Sequence, residues 1–383
     1  MPERKPERIE TVIIGGGQAG LSVGHHLARR GRPFVILDAN QRVGDGWRRR
    51  WDSLRLFTPA RYDGLAGLPF PAPPRSFPTK DQVADYLEAY AARFQLPVRT
   101  GVRVDRLTKA DGGFLATAGD RSWEAANAVV AMASFQVPRI PAYAPELDPG
   151  VLQLHAGSYR NPSQLQEGGA LVLGAGNSGA EIALEVAGRQ ATWLAGRESG
   201  HVPFRIDSAV ARRILLPVLF RFVGHRVLTV DTPIGRRLRP RLLAHAAPLV
   251  RVKPKDLAAA RIQRVPRVVG VHHGHPLLAD QRVLEVANVI WCTGFGPDFS
   301  WIDLPLFDEN DHEPTHHRGI VANQPGLYFV GLHFLYAMSS GFLPGIDRDA
   351  KHIVHAILAR AGPTPGRPGP TADSAVPRPM RSG

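Results

Sequence analysis

The chain has 383 residues, 44% of them hydrophobic and 21% charged, which suits two domains of ordinary globular composition. No apolar run approaches the ~20 residues of a membrane-spanning helix, and the charged stretch Met1–Glu10 is not of the signal-peptide kind, so a cytoplasmic protein is expected. The formal net charge is +13, and Cys292 is the only cysteine, which excludes an intramolecular disulfide and a C-x-x-C dithiol relay.

In chain order, the apolar run Thr11–Ile14 predicts a strand. The turn Gly15-Gly16-Gly17-Gln18-Ala19-Gly20 follows it, and Ala19–Arg30 has helical composition up to Gly31. Strand, glycine turn and helix in that order form a dinucleotide fingerprint. The first glycine makes the turn and the second admits a pyrophosphate, while the third lets the helix pack on its strand. Pro33–Leu37 predicts the next strand. Asp38 closes it, where an acid would hold a ribose hydroxyl. The irregular stretch 41–78 is rich in Pro, Gly, Arg and aromatics, a type of loop that is usually functional. A helix is expected over Asp81–Phe94, with strands at Val98–Val104, Phe114–Ala118 and Ala128–Ala131.

A second fingerprint, Gly174-Ala175-Gly176-Asn177-Ser178-Gly179, follows the apolar run Leu171-Val172-Leu173. The strand Ala191–Leu194 then leads to Gly196-Arg197. Arginine at this position suits a 2′-phosphate, so the second nucleotide reads as NADPH, while Asp38 suits the unphosphorylated ribose of FAD. Two dinucleotides on one polypeptide imply electron transfer between them. The fold class is therefore α/β with two Rossmann-like domains. FAD is expected on 1–162 plus 286–361, NADPH on 163–285, and 362–383 is expected to be a disordered tail. Val286–Trp291 reads as a strand returning to the first domain, followed by a strand at Leu327–Val330 and a helix at Ala350–Arg360.

Much of the charge excess lies in 205–255, where Arg212, Arg213, Arg221, Arg226, Arg236, Arg237, Arg239, Arg241, Arg251 and Lys253 face only Asp207 and Asp231. A solvated face beside a phosphate-bearing cofactor is the plain reading. Peripheral membrane contact through 205–255 stays open, because apolar residues are mixed with the basic ones. Nucleic acid is not expected. No metal-ligand spacing stands out. His272-His273-Gly274-His275 reads as a hairpin turn, and Asp311, His312, Glu313, His316 and His317 as a polar loop.

Several stretches together resemble the flavin-containing monooxygenase superfamily, and within it bacterial flavoproteins similar to the plant YUCCA enzymes. They are Gly46-Trp47-Arg48 running into Arg50-Trp51-Asp52-Ser53-Leu54-Arg55-Leu56, Leu154-His155 with Ser158-Tyr159-Arg160, Trp291-Cys292-Thr293-Gly294-Phe295, Thr232–Arg236 and Phe334-Leu335-Tyr336. The resemblance spans nearly all of Thr11–Arg360. It implies that NADPH reduces FAD and that reduced flavin meets O₂ to give a C4a-(hydro)peroxyflavin, which oxygenates a small organic substrate. It also implies flavin contacts at Ala39, Gly46, Trp47 and Leu54, and linker contacts at Thr293 and Gly294. Phe57 and Thr58, in the loop beside the flavin, and His155 and Tyr159, between the domains, are the catalytic candidates. The chain departs from the family pattern in four places. Met132-Ala133-Ser134 stands where Thr-Gly is usual, Pro149 and Val151 replace Phe and Gly of the linker signature, Phe57 replaces Asn or His, and Cys292 replaces Ala. Two alternatives remain open: an NADPH oxidase or reductase without oxygenation, and a redox-sensing subunit of a partner such as an ion transporter.

Overall fold

The computed structural model describes residues 5–244, 247–307 and 313–361. The expected tail 362–383, together with Asp311 and His312, lies outside the described residues. The N-terminal half builds one mixed sheet from β1 (Glu7–Ile14), β2 (Phe34–Leu37), β3 (Val98–Arg99), β4 (Arg106–Ala110), β5 (Gly113–Ala118) and β6 (Arg121–Val130), in the order β3-β2-β1-β6-β5-β4. The late strand Leu327–Phe329 pairs in parallel with the end of β6. Strands β2 and β6 flank β1 in parallel, and β4, β5 and β6 form an antiparallel meander. All four residues of β2 are buried, as are the last four of β1, the pattern of a parallel sheet covered on both faces.

On one face lie α1 (Gln18–Ala28), α2 (Asp45–Arg48), α3 (Lys80–Arg93) and the C-terminal helix Leu343–Ala361. Leu21, Leu27, Val83, Leu87, Tyr90, Ile346, Ile353 and Ile357 meet there in one core. A capping box between Thr79 and Gln82 starts α3. The C-terminal helix begins seven residues before the expected Ala350, because Pro344 falls in its first turn, where no intrahelical N–H is needed. The expected strand Val98–Val104 shortens to Val98–Arg99, since Gly101 turns the chain at φ +67°.

The second sheet is wholly parallel. It contains β8 (Leu152–His155), β9 (Ala170–Leu173), β10 (Thr192–Ala195), β11 (Gln263–Val265) and β14 (Asn288–Trp291), in the order β11-β10-β9-β14-β8. This corrects the expectation for Val286–Trp291, which does not return to the first sheet. Its strand β14 lies between β9 and β8, so the second sheet draws its strands from 152–291. A four-residue strand buried on both sides fits either sheet, and periodicity alone could not assign it. Helices α4 (Asn177–Ala187), α5 (Pro233–Ala244) and α6 (Pro254–Ala259) lie in the chain between β9 and β11. Two π-helical segments, Ala211–Leu215 and Val218–Val227, lie within a continuous helical stretch over 209–227. Strands β12 (Val268–His272) and β13 (His275–Leu278) form the expected hairpin, with His273 and Gly274 both at positive φ, as a type I′ turn requires. The two crossings between the halves are tied to each other, since β7 (Val137–Pro138) pairs antiparallel with β15 (Phe295–Gly296). No helix among the described residues is long and apolar enough to cross a membrane.

Candidate functional site at two glycine turns and the joint between them

The two glycine turns share one backbone scaffold. Gly15 N–H donates to Leu37 O and Ala131 N–H to Ile14 O, each at 2.8 Å. In the second turn Gly174 N–H donates to Ala195 O at 2.8 Å and Cys292 N–H to Leu173 O at 2.7 Å. Gly15 and Gly174 sit at φ +111° and +110°. A Cβ at Gly15 would stand 2.8 Å from Ala131 O, and one at Gly174 would stand 2.1 Å from Cys292 O. The backbone of the next strand therefore fixes each first glycine. The close approach is to Ala131, not to Ala133, so the missing glycine at Ala133 does not disturb it. Gly20 and Gly179 have the packing role expected of the third glycine. A Cβ there would lie 1.9 Å from Gly15 O and 1.7 Å from Gly174 O.

Gly17 behaves differently. It is the N-cap of α1, and a Cβ there meets nothing within 4 Å. Protein packing therefore does not require glycine at this position. The space belongs to whatever approaches the N-terminus of α1, where free N–H groups favour a phosphate. Gly46 leaves similar open space, and Trp47 Nε1–H donates to Gln18 at 3.2 Å, which ties the two segments together. Buried Asp38 accepts from Gly16 N–H at 2.6 Å and from Asn40 N–H at 2.7 Å. Its carboxylate is thus held at the end of β2 beside the turn, while Ala39 is exposed. Gly16 was missed as a site residue, although a double glycine before the N-cap signals it. These groups fit a flavin dinucleotide: a glycine-lined opening at a helix N-terminus and an oriented acid one strand away.

In the second turn Gly176 caps α4, and Ser178 is half-buried. Asn177 is turned aside, because its side chain donates to Pro248 O at 3.0 Å and accepts from Val250 N–H at 2.8 Å. It fastens the segment 248–250 to α4. Arg197 is exposed past the end of β10. Arg264 on β11 braces the chain just before it, donating to Leu194 O at 3.2 Å and Gly196 O at 2.9 Å. No sequence signal marked Arg264, since β11 is only three residues long.

The residues expected to be catalytic lie at the joint between the halves. Buried His155 ends β8. Its Nε2 bonds to Gly294 O at 3.0 Å, its Nδ1 accepts from Gly157 N–H at 3.1 Å, and its ring meets Phe295 edge-on at 4.7 Å. Burial and the nearby Arg50 lower its pKa, so it is a neutral Nε2–H imidazole that positions the crossing. The Gly294 carbonyl also accepts from Arg139 N–H at 3.0 Å, and Thr293 Oγ1 donates to Arg139 O. Tyr159 is fully enclosed, and its hydroxyl donates to Glu185 at 3.2 Å, so it acts on the second core from within and is closed to a ligand. Leu54 packs beside Trp51 against that same core. Phe57 joins Phe77, Ile206 and Leu216 in a small apolar cluster under the Arg251 guanidinium, 5.2 Å from the ring. Arg251 also donates to Leu56 O at 2.8 Å and to Glu181 at 2.9 Å. Buried Thr58 donates to Asp63, which is fully buried and whose Oδ2 has no partner. Burial pushes the Asp63 carboxyl up to about 8. Cys292 is half-buried against the second core, and desolvation pushes its thiol up to about 12, which keeps it from acting as a thiolate.

Residues 12–201 match the pyridine nucleotide-disulphide oxidoreductase family, although this chain lacks the second cysteine that a dithiol needs. A CzcO-like uncharacterised oxidoreductase of Geobacillus kaustophilus is 36% identical, over 91% of this chain and 98% of that protein. The indole-3-pyruvate monooxygenase YUCCA1 of Oryza sativa subsp. japonica is 33% identical, over 86% and 89%. A solved flavin-containing monooxygenase from Stenotrophomonas maltophilia is 28% identical, with a TM-score of 0.72 over 93% of this chain and all of that one. With both glycine turns and the paired crossings in place, the chain is an oxidoreductase that belongs to the flavin-containing monooxygenase superfamily, among members similar to YUCCA.

Proposed function

We propose that the protein is an NADPH-dependent, FAD-containing monooxygenase that transfers one oxygen atom of O₂ to a small organic substrate. The observation that carries this is the duplicated turn scaffold, with an acid, Asp38, beside the first turn and an arginine, Arg197, beside the second. In this reading Gly15–Gly20, Asp38, Gly46 and Trp47 hold FAD, while Gly174–Gly179 and Arg197 hold NADPH. FAD would supply hydride acceptance and oxygen activation when bound. The protein binds, orients and excludes water, and no dedicated acid–base pair is needed. His155, Arg139, Thr293 and Gly294 set the angle of the crossings and thereby the distance between the two nucleotides.

The test is a visible spectrum of the purified protein, followed by anaerobic NADPH addition and then air with candidate substrates. Bound flavin, bleaching by NADPH and an oxygenated product support the reading. A colourless folded protein that takes up no FAD overturns it. An NADPH oxidase is the second reading, favoured by Phe57, which offers no hydrogen-bond donor and is turned into an apolar cluster. Hydrogen peroxide as the sole product, with every substrate tried, would select it.

A further inference from the structure

The helical stretch 209–227 buries Ala211 and Leu216, the latter against Ile206 and Phe77. It leaves a second apolar row outside. Val210, Ile214, Val218 and Phe222 are 59%, 57%, 49% and 56% exposed. A spacing of four keeps them on one side of the helix, whether the turns are α or π. Between Asp207, which pairs with Arg212 at 3.7 Å, and Asp231 the chain carries Arg212, Arg213, Arg221 and Arg226 with no acid among them, and Arg213 and Arg226 are exposed. The run 232–255 continues with Arg236, Arg237, Arg239, Arg241, Arg251, Lys253 and Lys255, again with no acid.

We propose that this row seats the protein on the surface of an anionic lipid bilayer, with the apolar side chains in the headgroup boundary and the arginines on lipid phosphates. An apolar stripe flanked by arginines is the composition of a helix that lies in the interface plane. Charge complementarity selects this occupant over a second copy of the chain. Two such faces brought together would set arginine against arginine, whereas an anionic bilayer neutralises them.

The test uses the full-length, FAD-loaded protein with vesicles of phosphatidylcholine alone and of an equimolar phosphatidylcholine–phosphatidylglycerol mixture. Sedimentation should carry the protein down with the anionic vesicles, not the neutral ones, and added salt should weaken this. Arg213→Ala and Arg226→Ala should each lower the partition coefficient about fivefold. The charge-neutral pair Ile214→Ser with Phe222→Ser should lower it more than about tenfold, at unchanged flavin absorbance and circular dichroism. In the unmodified protein, hydrogen exchange over 209–227 should slow on adding anionic vesicles, a readout that needs no variant. The proposal is overturned by absence of binding, by equal binding to both vesicles, or by unchanged binding of the serine pair. A concentration-dependent dimer that the serine pair abolishes would also overturn it, in favour of self-association.

Discussion

Arg197 and Asp63 show how differently two charged residues act in one molecule. Arg197 is exposed at the end of β10, so its cost to the fold is small, and on the proposed reading it holds the 2′-phosphate of NADPH. Arg197→Ala should lower the preference for NADPH over NADH by roughly ten- to a hundredfold, the loss of one charge-assisted phosphate contact, measured as the ratio of kcat/KM values. Equal rates with both nucleotides before mutation would remove that role. Asp63 is fully buried, and its carboxyl, pushed up to about 8, stays protonated at neutral pH. In the unfolded chain it ionises near pH ~3.9. Between those values the folded state holds a proton that the unfolded state has released, so stability falls as pH rises from about 4 to 8. Asp63→Asn removes this slope. Its thermal midpoint relative to the unmodified protein should rise steadily between pH 5 and pH 8, and a pH-independent difference would contradict a buried protonated acid.

On the proposed reading the turn between strand and helix carries the binding, and its glycines separate into two classes. Gly20 is held by the protein itself, since a Cβ would overlap Gly15 O. Gly17 has open space in front of it. Gly17→Leu is therefore expected to fold with normal circular dichroism and thermal midpoint, yet to be purified without flavin colour. Gly20→Leu should fail at the folding stage, with the protein in the insoluble fraction. A yellow Gly17→Leu variant would place the dinucleotide elsewhere. The same division applies to α4, where the Cβ of a residue at Gly179 would overlap Gly174 O.

At the scale of the molecule, the loop 51–63 joins the two halves. Trp51 and Leu54 enter the core of the second half, Arg251 clamps the carbonyls of Arg55 and Leu56, and Phe57 rests in the apolar cluster below it. On the oxygenase reading, negative charge developing on oxygen beside this loop finds no donor from Phe57, and burying such charge unpaired is costly. The unmodified protein should therefore divert much of its NADPH to hydrogen peroxide. Phe57→Asn should lower the peroxide formed per NADPH consumed by about fivefold, the worth of one hydrogen bond. No change in that ratio would mean that another group serves the oxygen or that Phe57 does not face it.

The sequence by itself determined both glycine turns, the strands and helices around them, the hairpin at His273-Gly274 and the family. Each of these is local, written in a glycine position, an apolar run or a turn residue whose backbone demand is met within a few neighbours. Only the tertiary structure decided that β14 belongs to the second sheet, because a strand buried on both faces carries no record of which neighbours flank it. It also decided that His155 and Tyr159 serve the joint and the core, that Asn177 fastens 248–250, and that Arg264 braces the turn before Arg197. Their partners lie far along the chain at Gly294, Glu185, Val250 and Gly196. A side chain's role depends on what stands opposite it, and long-range packing sets that.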